Sequence, residues 1–111
     1  MTKFELYSDK PVISFNSHLE GLDENTGNLF INLRDFIKSL GDDVIEEIRP
    51  HRIVYAKSLT FRYFLDIRPR KDSIILSIRK SRKEPAIEYI IRGNQKIDNI
   101  KFEISEAYTK I

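Results

Sequence analysis

The sequence predicts a two-layer α+β fold: a helix, four antiparallel strands and a second helix, with both helices on one face of the sheet. The hydrophobic period is the main observation behind this prediction. Apolar residues recur at helical spacing over residues 26–40, alternate between residues 52 and 92, and return to helical spacing after residue 95. The 111 residues suffice for one domain, and one apolar sheet face can cover the apolar stripes of both helices.

The first 25 residues hold no firm element. The stretches "KFELY" and "VISF" are short enough for edge strands, and Pro11 separates them. "HLEGLDENTGN" has the composition of a loop. We therefore treat residues 1–25 as a terminal segment and residues 26–111 as a single α+β domain.

The helix predicted over residues 26–40 has the clearest pattern. Its apolar residues fall on one stripe: Leu29, Phe30, Leu33, Phe36, Ile37 and Leu40. Asn25 or Thr26 can cap its start, and Gly41 is expected to end it in the left-handed conformation. The following "DDVIEE" is predicted to form a turn or a short extension of the helix.

Four strands are predicted next, at residues 52–57, 60–67, 73–79 and 86–92, because each is rich in β-branched and aromatic residues. Two of their connections are polar and contain Pro69 and Pro85, which favours antiparallel hairpins. Isoleucines at helical spacing then predict a last helix over residues 95–110, with Asn94 as its cap.

Three stretches resemble a known family: "LRDFIKSLGDDV" (33–44), "IVYAK" (53–57) and "FLDIRPRKDSIILSI" (64–78). They are similar to a small uncharacterised bacterial and archaeal domain at the C-terminus of "predicted transport proteins", where a nuclease-like domain can precede it. The resemblance covers roughly residues 29–111 and implies a two-layer α+β fold without an established activity. The family has a longer segment between its third and fourth strands, where this chain has only "KSRKEP".

The residue types of common catalytic sites do not come together in the sequence. The absence of cysteine excludes disulfides, thiolate metal sites and a cysteine nucleophile. No histidine lies in a catalytic motif, and "GDDVIEE" does not match a calcium-binding loop. Its carboxylates are expected to be solvated: Asp42, Asp43, Glu46 and Glu47. We predict a non-enzymatic protein with no catalytic residue, no metal site and no cofactor.

No stretch is apolar for long enough to form a signal-peptide core or to cross a bilayer, so we expect a cytoplasmic protein with no membrane partner. Charge is distributed unevenly along the chain. Residues 1–48 carry four Lys/Arg and ten Asp/Glu, whereas residues 49–92 carry twelve and four. This asymmetry favours an anionic partner, or a contact between the two parts of the chain.

Strand alternation predicts a contact surface on the sheet face turned away from the helices. With Tyr63 and Leu65 facing the helices, Phe64 faces away. The predicted surface has an apolar centre and an arginine rim: Arg52, Val54, Arg62, Phe64, Arg68, Ile75 and Arg79. This composition suits a protein interface or single-stranded nucleic acid stacked on Phe64. Alternatively, residues 1–24 fold back and cover the surface.

Two basic clusters lie at successive hairpin turns, which antiparallel pairing places at opposite ends of the sheet. The predicted anion-binding residues are Arg70, Lys71, Arg82 and Lys83. We expect a binding module accessory to a nucleic-acid-related system such as a nuclease or defence system, with weak and largely sequence-independent binding. The alternative is a domain that forms a homodimer or binds a protein partner and has no nucleic-acid role. A binder of anionic small molecules is the third hypothesis.

Overall fold

A computed structural model describes residues 14–58, 60, 62–93 and 95–111. The elements in these residues are, in chain order, α1 (Phe15–Leu19), α2 (Glu24–Lys38), β1 (Val44–Ile48), β2 (Ile53–Lys57), β3 (Arg62–Pro69), β4 (Ile74–Ile78), β5 (Ile87–Ile91) and α3 (Asp98–Lys110). The strands form one antiparallel sheet in the order β1-β2-β3-β4-β5, so each strand pairs with the next along the chain. The predicted α+β class is confirmed.

Strand β1 is one strand more than the sequence predicts. It pairs with β2 from Val44 opposite Lys57 to Ile48 opposite Ile53. Its acidic residue Glu46 points inward, where Arg34 of α2 binds both carboxylate oxygens at 2.8 Å. Because this charge is paired and hydrogen-bonded, it can occupy an inward position of a strand. Of the turn or helical extension predicted over residues 42–47, a turn is present at Asp42 and Asp43, but the prediction is wrong for residues 44–47, which belong to β1.

The pairing of β2 with β3 contains a β-bulge. Tyr55 pairs with Leu65, but the next residue, Ala56, pairs with Tyr63, so Phe64 is an extra residue on β3. Phe64 is fully buried, whereas Tyr63 is 44% exposed. The predicted orientations of Tyr63 and Phe64 are therefore exchanged, because simple alternation does not continue through a bulge.

One core joins both long helices to the sheet. Helix α2 contributes Phe30, Leu33 and Ile37, and α3 contributes Ile104 and Ala107, all of them fully buried. The sheet contributes Ile53, Tyr55, Leu65, Ile67, Leu76 and Ile78. Burying a large aliphatic or aromatic side chain stabilises a fold by about 1.5–3 kcal/mol, so the buried residues of the α2 stripe contribute to the stability of the fold.

The ends of the helices differ from the prediction. The Asp23 carboxylate accepts a hydrogen bond from the N–H of Thr26 at 2.8 Å, so Asp23 is the N-cap of α2. Ser39 ends this helix in the right-handed conformation, and Gly21 is the glycine with positive φ in the described residues. The left-handed stop predicted at Gly41 is therefore wrong. Asn94, the predicted cap of α3, lies outside the described residues.

The segment before α2 is partly helical. Residues 1–13, with "KFELY" and the start of "VISF", lie outside the described residues, and Phe15 begins α1 instead of ending a strand. The Phe15 ring lies 4.8 Å from the ring of Phe30, and the Arg34 guanidinium lies 4.2 Å from the Phe15 centroid. His18 also hydrogen-bonds Arg49 O at 2.7 Å, so the described part of the segment packs against α2 and the β1–β2 connection.

Candidate anion-binding cleft

The sheet face turned away from the helices, here called the outer face, is built from cross-strand rows. Directly opposite residues of antiparallel strands share a face, so the register assigns each row. One row contains Val54, Asp66, Ser77 and Glu88, and the next contains Arg68, Ile75 and Ile90. The outer face therefore combines charged and apolar side chains.

Two predicted rim arginines are already bound by carboxylates of the same face. Arg52 Nη1 lies 2.7 Å from Asp66 Oδ2, and Arg68 Nη2 lies 2.5 Å from Glu88 Oε2. Exposed ion pairs of this kind contribute roughly 0–1 kcal/mol to stability. Their larger effect is electrostatic, because they neutralise two arginines that would otherwise attract an anion.

A cleft of about 460 Å³ opens where β3 begins, β4 ends and β5 begins. This volume lies within the range of small-molecule sites in proteins. Four arginines line it: Arg49, Arg62, Arg79 and Arg82. Asp66 is the acidic residue in the lining, and Arg52 binds its carboxylate.

Three of these arginines give the cleft its positive charge. Arg62, Arg79 and Arg82 form no ion pair with any acidic residue in the described part of the chain. The side chains of Arg79 and Arg82 are exposed, and that of Arg62 is half-buried. A cleft lined by cations without a carboxylate partner has a concentrated positive potential, which attracts anions.

The bulge changes the position of Arg62. Arg62 pairs with Lys57, whose Nζ lies 4.8 Å from the Tyr108 ring of α3, so the two residues share the helix side by register. The predicted outward orientation of Arg62 is therefore wrong. Arg62 still borders the cleft, together with Ile111 at the end of the chain.

Tyr63 is the aromatic side chain that the outer face presents in place of Phe64. Its hydroxyl donates a hydrogen bond to Glu47 Oε2 at 2.9 Å, and the Arg49 guanidinium lies 5.5 Å from its ring centroid. Hydrogen bonds from Tyr63 and Arg49 lower the pKa of the Glu47 carboxyl. The contacts hold the Tyr63 ring at the cleft while much of it stays exposed. The position of the Tyr63 ring could not be predicted from the sequence, because the local residue pattern predicts neither the bulge nor β1.

The remaining predicted residues lie in three places. Val54 is buried beneath the outer face, and Ile75 is half-buried in the row beside the cleft. Arg70 closes the β3–β4 turn through its N–H to Ser73 O at 2.7 Å, at the end of the sheet opposite the cleft, and Lys71 follows it. In the β4–β5 connection, Lys83 is exposed and does not line the cleft. The two basic clusters thus lie at opposite ends of the sheet. Arg82 is the one residue of these clusters that lines the cleft.

Carboxylates of the acidic stretch after α2 accept hydrogen bonds from side chains of other elements. The Tyr55 hydroxyl donates to Glu46 at 2.8 Å, alongside the two bonds from Arg34. Burial alone raises the pKa of Glu46, but these hydrogen bonds outweigh it and the pKa is lowered. Asp43 accepts a hydrogen bond from the Tyr108 hydroxyl. The prediction that all these carboxylates are solvated is wrong for Glu46, and the described residues contain no group of three or more His, Asp or Glu that could hold a metal.

In comparisons with known proteins, no family model, curated protein or solved structure matches this chain. The resemblance to the small domain of "predicted transport proteins" therefore stays a prediction. No helix in the described ranges is long and apolar enough to cross a membrane.

Proposed function

We propose that this domain is a non-enzymatic binding module whose cleft holds a phosphate-bearing ligand, with single-stranded nucleic acid as the ligand class. The observation that supports it most is the convergence of Arg62, Arg79 and Arg82 on one cleft without a carboxylate partner in the described residues. The planar guanidinium group donates paired hydrogen bonds that match phosphate oxygens.

Tyr63 favours nucleic acid over a simple anion. This residue is 44% exposed and lines the same cleft as the three arginines. Stacking of a base on an aromatic side chain is worth about 1–3 kcal/mol and depends little on the base. A single strand can turn a base into such a cleft, whereas a duplex keeps its bases in the stack. An accessory role beside a nuclease or in defence is supported by the family resemblance alone.

Fluorescence anisotropy with a labelled single strand of about ten nucleotides tests the proposal at about 50 mM salt. Arg79→Glu should weaken binding by at least about tenfold and flatten the dependence of affinity on salt, because one phosphate contact is lost. Arg70→Glu is the matched control. It makes the same charge change at the other end of the sheet, so it should change affinity by no more than about twofold.

A second pair of variants tests the stacking contact. Tyr63→Ala should weaken binding by about 5- to 100-fold, whereas Tyr63→Phe keeps the ring and should bind nearly as the wild type does. The proposal fails if the wild type does not bind single strands at low salt, or if Arg70→Glu weakens binding as much as Arg79→Glu. Binding of inorganic phosphate or free nucleotides without binding of oligonucleotides would instead support the small-anion hypothesis.

A further inference from the structure

Strand β5 is the last strand of the sheet in the part of the chain that the structure describes, and it exposes apolar side chains. No strand in the described residues pairs with its outer edge. Ile87 is 53% exposed and Ile90 is 59% exposed. Monomeric proteins usually protect such edges with lysine, proline or a bulge, but β5 reads Ile-Glu-Tyr-Ile-Ile and pairs with β4 without a register shift.

We infer that β5 pairs antiparallel with β5 of a second copy of this chain, with the two-fold axis at Ile90. In this register Ile90 lies opposite the partner's Ile90 on the outer face, and their exposed side chains cover each other. Tyr89 then lies opposite the partner's Ile91. The backbone groups on the outer edge of β5 pair with no strand of the described ranges, and in the dimer they find partners in the new ladder.

Charge complementarity selects this register. Residues 88, 90 and 92 alternate onto one face, so an axis at Ile90 places Glu88 opposite the partner's Arg92, and the pair occurs twice. Within its own chain Glu88 accepts from Arg68 at 2.5 Å, while Arg92 is 3.6 Å from an exposed Asp72. An axis one residue earlier places Glu88 opposite an isoleucine and gains no charge pair.

The other edge does not offer the same contact. β1 carries Glu46 on its inner face and Glu47 on its outer face, and both are already hydrogen-bonded within the chain. Antiparallel self-pairing of this strand would bring like charges together across the interface, which is destabilising. The five-residue contact at β5 is small, so its dimer is weak and concentration-dependent.

Cysteine cross-linking tests the register, because the chain contains no cysteine of its own. Directly opposite residues have Cα atoms about 4.5–5.5 Å apart, within the range for a disulfide. Ile90→Cys should therefore give a disulfide-linked dimer under mild oxidation. Ile87→Cys is the matched control, because its two thiols would lie six positions apart, about 20 Å, and should stay unlinked.

Sedimentation of the full chain supplies a second measurement. Ile90→Lys should raise the dimer dissociation constant by at least about tenfold, whereas Ile31→Lys, at an isoleucine of α2 that is 40% exposed, should leave it unchanged. Glu88→Arg and Arg92→Glu should each weaken the dimer, and the double variant should recover it. The inference is overturned if the wild type stays monomeric up to about 1 mM, if both cysteine variants cross-link equally, or if the double variant does not recover.

Discussion

Tyr63 and Phe64 are neighbours in the chain but lie on opposite sides of the sheet. Phe64 is fully buried and packs against the Tyr108 ring with centroids 5.7 Å apart. Phe64→Ala should therefore lower the free energy of unfolding by about 3–5 kcal/mol, measured by urea denaturation. Tyr63→Ala, at an exposed ring, should lower it much less. Similar losses for both variants would contradict the bulge.

The partly buried carboxylate of Glu46 connects α2 to the sheet. Glu46→Gln removes the charge that Arg34 and the Tyr55 hydroxyl bind, and should cost about 1–3 kcal/mol near neutral pH. Glu47→Gln, at a side chain that is 45% exposed, should have a much smaller effect. Urea denaturation of the two variants gives the comparison.

The same residue predicts a pH dependence. Because the pKa of Glu46 is lower in the folded protein than in the unfolded chain, the ionised carboxylate stabilises the fold above the unfolded value of about 4.3. This stabilisation is lost as pH falls through the folded value. The stability difference between the wild type and Glu46→Gln should therefore be largest near neutral pH and shrink below about pH 4. A difference that does not change with pH would contradict the assignment.

At the scale of the elements, two glycines predict opposite effects of alanine. A Cβ on Gly41 would collide with the Tyr108 hydroxyl and lie 2.8 Å from Asp43 Oδ1, so Gly41→Ala should destabilise the protein by about 1–3 kcal/mol. Gly27 lies within α2 with nothing near its position, so Gly27→Ala should stabilise it by about 0.5–1 kcal/mol. Thermal unfolding should show a lower melting temperature for Gly41→Ala and a higher one for Gly27→Ala than for the wild type. Shifts of the same sign would contradict the prediction.

Elements with a local signal could be predicted from the sequence. Helix α2 and strand β4 carry a clear period, because burial on one side repeats every few residues. Strands β2 and β5 do not alternate in burial, and their signal is the richness in β-branched and aromatic residues. Strand β1 could not be predicted, since the charge of Glu46 is offset by Arg34, twelve positions away and on another element. The bulge depends on how β2 and β3 align, which a single strand's pattern does not contain.

At the scale of the whole molecule, the candidate site could be predicted only in part. The sequence identifies the basic outer face and includes Arg79 and Arg82. It cannot tell which arginines are neutralised, because Arg52 and Arg68 meet their carboxylates across strands, fourteen and twenty positions away. Ion pairing between distant residues, and not local composition, selects the arginines available to a ligand.

The proposed dimer through β5 would bring two of the proposed nucleic-acid-binding clefts together in one assembly. A two-fold axis perpendicular to the sheet places both outer faces on the same side. The two β3 strands are then five strand spacings apart, about 24 Å, and the two clefts also lie on opposite sides of the axis along the strand direction. A single-stranded oligonucleotide of about twenty nucleotides should then reach both clefts. It should bind at least about tenfold tighter than an oligonucleotide of about ten nucleotides. Ile90→Lys should remove this gain without changing affinity for the short strand. Anisotropy with both lengths measures it, and a length advantage that survives Ile90→Lys would contradict the linkage.

The bulge at Phe64 also has a consequence for sequence comparison. Removing Phe64 would place Tyr63 directly before Leu65, which is the order that a regular ladder with Ala56 and Tyr55 requires. Both flanks of β3 would keep their faces, and only one aromatic side chain would leave the core. Relatives of this chain are therefore expected to tolerate a one-residue gap at this position in an alignment, with a compensating larger side chain on the last helix near Tyr108.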